Sequence, residues 1–445
     1  VLRLAAALFI SAVVSAGDYR AGVARVRTTP QLPVWLVGFA ARTEPARAVG
    51  SDLWAKALVL EDRSGGRVAI ITADILGFTP RVTEAVTREL AQDGWRPDQL
   101  AFFASHTHSG PAVLDRMRLS VAEGPSFERE AEAFTARLRD ALPKLVRDAW
   151  QGRVESSVTF GWSEARFAVN RRIEHLAGIR PGETFPAPVD HRVPVMRLAR
   201  PDGSVLATVF GYACHNTVLT GDTNEVSGDF AGYAQSELET VEPGSTALFV
   251  TLTAGDQRAS PRGSRAWAEA HGRSLATATR AARMNSVRGA IVTARSEVKL
   301  PFAAHTREFY AAEAGSRDLF AARRGRAMLA ALDRREPLAD ASYPIQALRI
   351  GSVTLLALAG EVVVDYALKL RERFGDQVIP AAYANDLPGY IPSLRVQREG
   401  GYEAGDSLVY FLQPGWFTDE VETRVLQGVE QTLTKVGVRP QSGTR

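Results

Sequence analysis

Six short apolar runs, each closing on a polar residue, constrain this chain more than any other feature. Gly66–Ala73 closes on Asp74, and Leu100–Ala104 closes on Ser105 and His106. Val205–Ala213 closes on Cys214, His215 and Asn216, and Thr246–Leu252 leads through Thr253 to Asp256. Val353–Ala359 closes on Gly360 and Glu361, and Val378–Ala384 closes on Asn385 and Asp386. Apolar runs of this length bounded by polar residues read as buried strands. Helical patterns lie between and after them, at Pro80 to Trp95, Phe127 to Trp150, Ala231 to Glu239, Arg265 to Met284, Arg307 to Arg335 and Thr418 to Val436. Pro143 marks a kink point in the second. Strands alternating with helices predict an α/β fold, a mixed β-sheet core flanked by helices. In such sheets the ligand crevice lies outside the carboxyl ends of the strands. Histidines and carboxylates at six strand ends, with no Lys or Arg at the tips, therefore predict one site there.

The rest of the chain is organised evenly. Gly22–Arg27 and Val34–Phe39 are β-like, and Leu53–Leu60 reads as a strand hairpinned through Asp62–Gly66 to the next one. The Pro/Gly-rich stretch Ile179 to Val189 reads as a loop joining two parts of one domain. No repeat or long linker divides the sequence, so residues 17–445 are expected to form a single catalytic domain.

At 45% hydrophobic and 23% charged, the chain has the balance of an ordinary globular protein. The formal charge of +3 comes from scattered Arg rather than a basic tail. Arg323–Arg326 lies in a helical pattern without interleaved aromatics, so it reads as a solvated face and not as a nucleic-acid groove. Arg3, the apolar stretch Leu4–Val14, and small residues at Val14 and Ala16 predict a signal peptide over residues 1–16. The apolar stretch is too short for a membrane span, and a buried N-terminal helix is the alternative. Export to the periplasm or the medium follows as an expectation. The single cysteine, Cys214, excludes an internal disulfide. Beside His215 it reads as a packed neighbour, with a nucleophile as the other reading.

His106 and His108 stand two apart where a strand ends. In extended backbone such positions face the same side, and imidazoles serve as metal ligands or general bases. The plain alternative is a pair hydrogen-bonded to a loop. Two His and one Glu make a ligand set typical of catalytic zinc with water in the open position. Here the set would be His106, His215 and Glu361. The other histidines, His175, His191, His271 and His305, fall in loops or helices and read as structural or exposed. A zinc ion in such a set lowers the pKa of its water and polarises a carbonyl. Neighbouring polar groups then position the substrate and stabilise an oxyanion.

The ordered segments Ser105–Pro111 (SHTHSGP), Gly211–Thr217 (GYACHNT), Ala254–Gln257 (AGDQ), Leu358–Glu361 (LAGE) and Asn385–Ser393 with Gly400–Gly405 resemble the neutral/alkaline non-lysosomal ceramidases. Gly38–Ala40 and the pair Asn170-Arg171 share the likeness. The resemblance implies zinc held by His106, His215, Glu361 and Tyr390. It implies substrate-amide contacts from His108, Arg171 and Tyr402, and a scaffold role for Asp229. It implies hydrolysis of a lipid-like N-acyl substrate and contact with a membrane surface. Asp256 is read either as holding a hydrogen bond in the site or as capping its turn. Members that hydrolyse ceramide carry a serine in a GDxSP segment. Here the segment runs Gly255-Asp256-Gln257-Arg258-Ala259-Ser260-Pro261. An ungapped match puts Arg258 at the serine, and a two-residue insertion brings Ser260 there. The ceramidases also carry an immunoglobulin-like C-terminal domain, whereas this sequence stops soon after the helix ending near Val436. A non-ceramide amide or ester, or binding of lipid or glycan without turnover, are the alternative functions.

Overall fold

The computed structural model describes residues 17–113, 124–172, 187–338 and 340–441. The expected signal peptide, His175 and residues 179–186 of the expected linking loop lie outside the described residues. The first sheet contains β1 (Tyr19–Arg27), β2 (Trp54–Asp62), β3 (Arg67–Ala73), β4 (Leu100–Ala104), β5 (Val154–Glu164), β6 (Arg192–Ala199), β7 (Val205–Tyr212), β8 (Thr246–Thr251) and β9 (Arg283–Val287). Its order is β4-β3-β2-β1-β5-β6-β7-β8, with β9 paired to β5. A second sheet has the order β10 (Ile291–Leu300), β11 (Ala341–Ile350), β12 (Val353–Leu358), β13 (Val378–Ala381). Within these two sheets most neighbours are antiparallel, and three pairs are parallel: β3 with β4, β7 with β8, and β12 with β13. The core is thus a mixed β-sheet, as the strand pattern predicts.

The two sheets pack face to face. Period-two alternation decides which residues meet. Along β2, Leu58 and Leu60 face the second sheet's Leu348 and Leu355, while Ala57 and Val59 face the helical side. Helices α1 (Pro80–Leu90) and α2 (Pro125–Gln151) cover that side. Helices α3 (Asp229–Val241) and α4 (Arg265–Ala281) bury Phe230, Leu238 and Leu275 against Phe210 and Phe249 of β7 and β8. Five further helices follow: α5 (Arg307–Ala314), α6 (Leu319–Asp333), α7 (Asp365–Phe374), α8 (Leu394–Glu399) and α9 (Val421–Lys435). Among the described residues no helix is long and apolar enough to cross a membrane.

Three local expectations change. Arg307 to Arg335 is two helices, because Asp318 caps a new start by accepting from the Phe320 and Ala321 amides. Met284 leaves α4 and joins β9. Val34 to Phe39 is no ladder strand, and only Val34 and Leu36 make isolated bridges.

The fold positions the site by bringing the two end strands of the large sheet near one another. These strands, β4 and β8, meet around β13. The Ala104 amide donates to the Tyr383 carbonyl (3.2 Å), the Ala382 amide donates to Thr251 (2.9 Å), and Thr251 Oγ1 donates to Ala104 (3.0 Å). Strand ends far apart in sheet order thereby open onto one buried space.

Candidate metal centre

Three of the six strand-end polar residues converge there. His106 follows β4 with φ 58°, in the left-handed region. The expected i, i+2 alternation therefore does not bring His106 and His108 together; a bend at His106 does. Such a conformation costs about 1–2 kcal/mol, and burial on every side maintains it. Nε2 of His108 lies 3.1 Å from Nε2 of His106. Nε2 of His215, after β7, lies 3.2 Å from the same atom. Oε2 of Glu361, after β12, is 3.1 Å from His106 Nε2 and 3.0 Å from His215 Nε2. The Tyr390 hydroxyl stands 3.3 Å from His215 Nε2. Gly255 makes room for Glu361: a Cβ there would lie 2.5 Å from the Glu361 carbonyl oxygen. Gly38, with φ 103°, plays the same part for His108, whose Nδ1 would meet a Cβ at 2.5 Å.

The donor set fits a cation. His106 Nδ1 is 2.6 Å from the Leu76 carbonyl, and His215 Nδ1 is 2.8 Å from that of Ala254. A carbonyl only accepts, so both Nδ1 atoms carry the proton. Burial, with Arg171 second, pushes His215 down to about 4, and burial followed by His106 and His215 pushes His108 well below its ordinary value. A neutral His215 with Nδ1 protonated aims an Nε2 lone pair inward. That lone pair faces another nitrogen acceptor and a carboxylate oxygen at close range. Glu361 Oε2 has those two ring nitrogens as its polar neighbours, and a neutral imidazole already protonated at Nδ1 has no N–H left to give it. Acceptors facing acceptors in a dry site repel one another unless a cation lies between them. Tetrahedral zinc with bonds of about 2.0–2.1 Å spaces its nitrogen ligands by roughly 3.3 Å, close to the distances seen here. Backbone carbonyls that accept from the far N–H of an imidazole are also the usual outer layer of metal sites. His108 lacks that anchor, because its Nδ1 has no partner among the described residues.

Around the cluster stand the remaining predicted groups. Arg171 donates from Nη2 to the Tyr390 hydroxyl (2.7 Å) and the Gly255 carbonyl (2.8 Å), and from Nε to Glu403 (2.9 Å). Tyr402 places its ring 5.4 Å from that of Tyr390. Burial pushes Tyr390 and Tyr402 up, and the Arg171 charge opposes this for both.

Asp256 is a brace beside the cluster. Its Oδ1 accepts from the Val364 amide (2.8 Å) and Oδ2 from Asn170 (2.9 Å), which ties the segment after Glu361 to the one before Arg171. Burial raises its pKa to about 6. Asp74 and Asn385, the other strand-end residues, also serve as braces. They accept from the amides of Trp54 and Phe102. Asp229 is scaffold, capping the Leu219 and Phe230 amides. Burial raises the Cys214 pKa, so it stays a packed thiol.

Ser260 is the one predicted site residue that the fold does not bring in. Gln257, Arg258 and Ala259 pair with Asn170, Val169 and Ala168, and the Ser260 amide bonds the Phe167 carbonyl. Each step leads away from Arg171 by about 3.3 Å. Ser260 ends exposed, whereas Arg258 bridges to the backbone of His215.

Sequence reasoning missed Tyr383, whose ring lies 4.2 Å from that of His106, and it missed Glu403 and Arg172. Adjacency was the only local signal, since Glu403 follows Tyr402 and Arg172 follows Arg171.

A buried centre of imidazoles and a carboxylate, able to bind a metal at the strand ends of a mixed sheet, defines the class. The family model for the neutral/alkaline non-lysosomal ceramidase N-terminal domain matches residues 19–257, more than half of the sequence, and the chain belongs to this family. It is 26% identical to the neutral ceramidase of Drosophila melanogaster over 251 residues, 54% of this chain and 34% of the fly protein. It is 22% identical to that of Pseudomonas aeruginosa over 248 residues, 54% of this chain and 36% of the bacterial protein. The matched region thus spans about a third of the length of these relatives. The crystal structure of the Pseudomonas aeruginosa neutral ceramidase superimposes with a TM-score of 0.73 at 18% identity, covering 97% of this chain and 76% of that one.

Proposed function

We propose that this chain is a zinc-dependent amide hydrolase that cleaves the N-acyl bond of a ceramide-like lipid, releasing a fatty acid and a long-chain amine. One observation carries the reading: imidazole nitrogens and the Glu361 carboxylate oxygen crowd around a single buried point. The relatives' names supply the substrate class. His106, His215, Glu361 and Tyr390 would hold the ion. When bound, it polarises a carbonyl and makes water nucleophilic near neutral pH. Arg171 orients the amide from its fixed place beside Tyr390. His108, kept neutral with Nε2 toward the cluster, contacts the amide and serves as a hydrogen-bond partner of the oxyanion or the leaving amine. Tyr402 donates to the developing oxyanion. In this reading residues 17–445 act as one catalytic domain of an exported protein that meets its substrate at a lipid surface.

Arg258 favours a second reading within the same chemistry. It stands beside His215, and if the ungapped match holds it replaces the serine of the ceramidase segment, which would fit a non-ceramide amide or ester. The test is fatty-acid release from a short-chain N-acyl sphingosine by zinc-loaded protein, chelated protein and His106→Ala at matched folding. Release that needs both zinc and His106 is the expected result. No release from protein that holds one zinc rejects ceramide and directs attention to other acyl substrates. Failure to bind metal rejects the hydrolase reading.

A further inference from the structure

Glu403 is wholly buried and divides its carboxylate between two adjacent arginines. Oε1 accepts from Arg171 Nε at 2.9 Å, and Oε2 accepts from Arg172 Nη1 at 2.8 Å. Arg172, also wholly buried, donates to Glu399 (3.1 Å) and to the Gly400 carbonyl (2.7 Å). The segment from Gly400 to Glu403 carries Tyr402. Arg171 in turn reaches the Tyr390 hydroxyl. One carboxylate therefore sets the angle of Arg171 from behind while its own backbone presents Tyr402. A guanidinium is a planar fork, so fixing Nε against a carboxylate fixes the direction of both Nη groups.

We propose that Glu403 is a positioning residue, which aims Arg171 at the Tyr390 hydroxyl and so tunes both the metal centre and the orientation of the substrate. This rests on the reading of Tyr390 as a metal-facing group. Outer-layer partners of this kind change metal affinity by about 10- to 100-fold when lost.

The decisive quantity is coupling, because neighbours that act through one another give non-additive effects. Zinc affinity is measured by chelator competition in four proteins: the parent, Glu403→Gln, Arg171→Ala and the double variant. The expected result is a loss of about tenfold or more from Glu403→Gln in the parent, and less than about twofold in the Arg171→Ala background. The same factor in both backgrounds, or no loss in either, overturns the proposal. Glu403→Asp, which keeps the charge but is too short to span both arginines, is run in parallel, with circular dichroism and melting as the folding check. If neither substitution folds, Glu403 is a stability residue and the positioning role falls. With activity as readout, Glu403→Gln lowers kcat with KM nearly unchanged. Zinc-bound parent protein that releases no fatty acid would reject the function proposed above, and the zinc coupling would still decide the role of Glu403.

Discussion

Two of the polar clusters among the described residues are built on opposite rules. Behind β2, Lys56 Nζ donates to Glu239 Oε1 (2.7 Å) and to the Ala247 carbonyl (2.8 Å). Arg25 adds a second cation on Glu239, and Asp74 nearby accepts from the Trp54 amide. In that cluster every named donor has an acceptor and positive charge meets negative. At the strand ends, by contrast, the His215 lone pair, a second imidazole and the Glu361 carboxylate point at one another. The first cluster closes on itself and contributes to the fold. The second needs a cation to be neutral and satisfied, and it marks the site. Burial of ionisable groups alone would not separate the two; the direction in which their donors point does.

Removing one member of each cluster should break them differently. His215→Ala is expected to abolish metal retention and reduce amide hydrolysis at least ~10³-fold, with the metal-free protein still folded. Metal analysis after dialysis, with a melt, reads this directly, and a metal-retaining variant would refute the ligand assignment. Lys56→Met should leave metal content unchanged and destabilise the protein by about 3 kcal/mol, because Glu239 and Asp74 lose a buried countercharge. Denaturant unfolding measures it, and a variant as stable as the parent would show that Arg25 suffices.

A smaller effect sharpens the contrast. In the metal-free protein the fold keeps His215 neutral down to about pH 4, whereas the unfolded chain protonates it near its ordinary value of about 6.5. The unfolded state therefore binds more protons in that window, and stability falls as pH drops from about 6.5 to about 4. His215→Gln should flatten this slope by at most about 3 kcal/mol across the window. An unchanged slope would place the titration elsewhere. Zinc should hold the parent flat further toward acid, since protons must displace it.

Much of this was legible in the sequence, for a physical reason. Strands buried on both faces are short continuous apolar runs, so their ends, and with them His106, His215 and Glu361, could be read off directly. Strands with a polar face were harder to see. β5 and β10 mix charged and apolar residues, and β10 reads Ile-Val-Thr-Ala-Arg-Ser-Glu-Val-Lys-Leu. The break between α5 and α6 was missed because a helical pattern continues across the Asp318 cap. That Asp74, Asp256 and Asn385 brace while their counterparts converge could not be read locally, since all six strand ends look alike.

The sequence by itself determined the class of architecture, the family, and three of the groups that face the buried point, because these depend on short-range pattern and residue type. Only the tertiary structure decided the rest. It bent His106 into the left-handed region, where extended geometry had been expected. It kept Ser260 outside by the register of a three-residue ladder. It joined Glu403 to Arg171 and Arg172 across more than 230 positions of chain. Such pairings arise only when distant segments pack together, and a chain's linear order carries no record of which of its distant charges that packing will bring into contact.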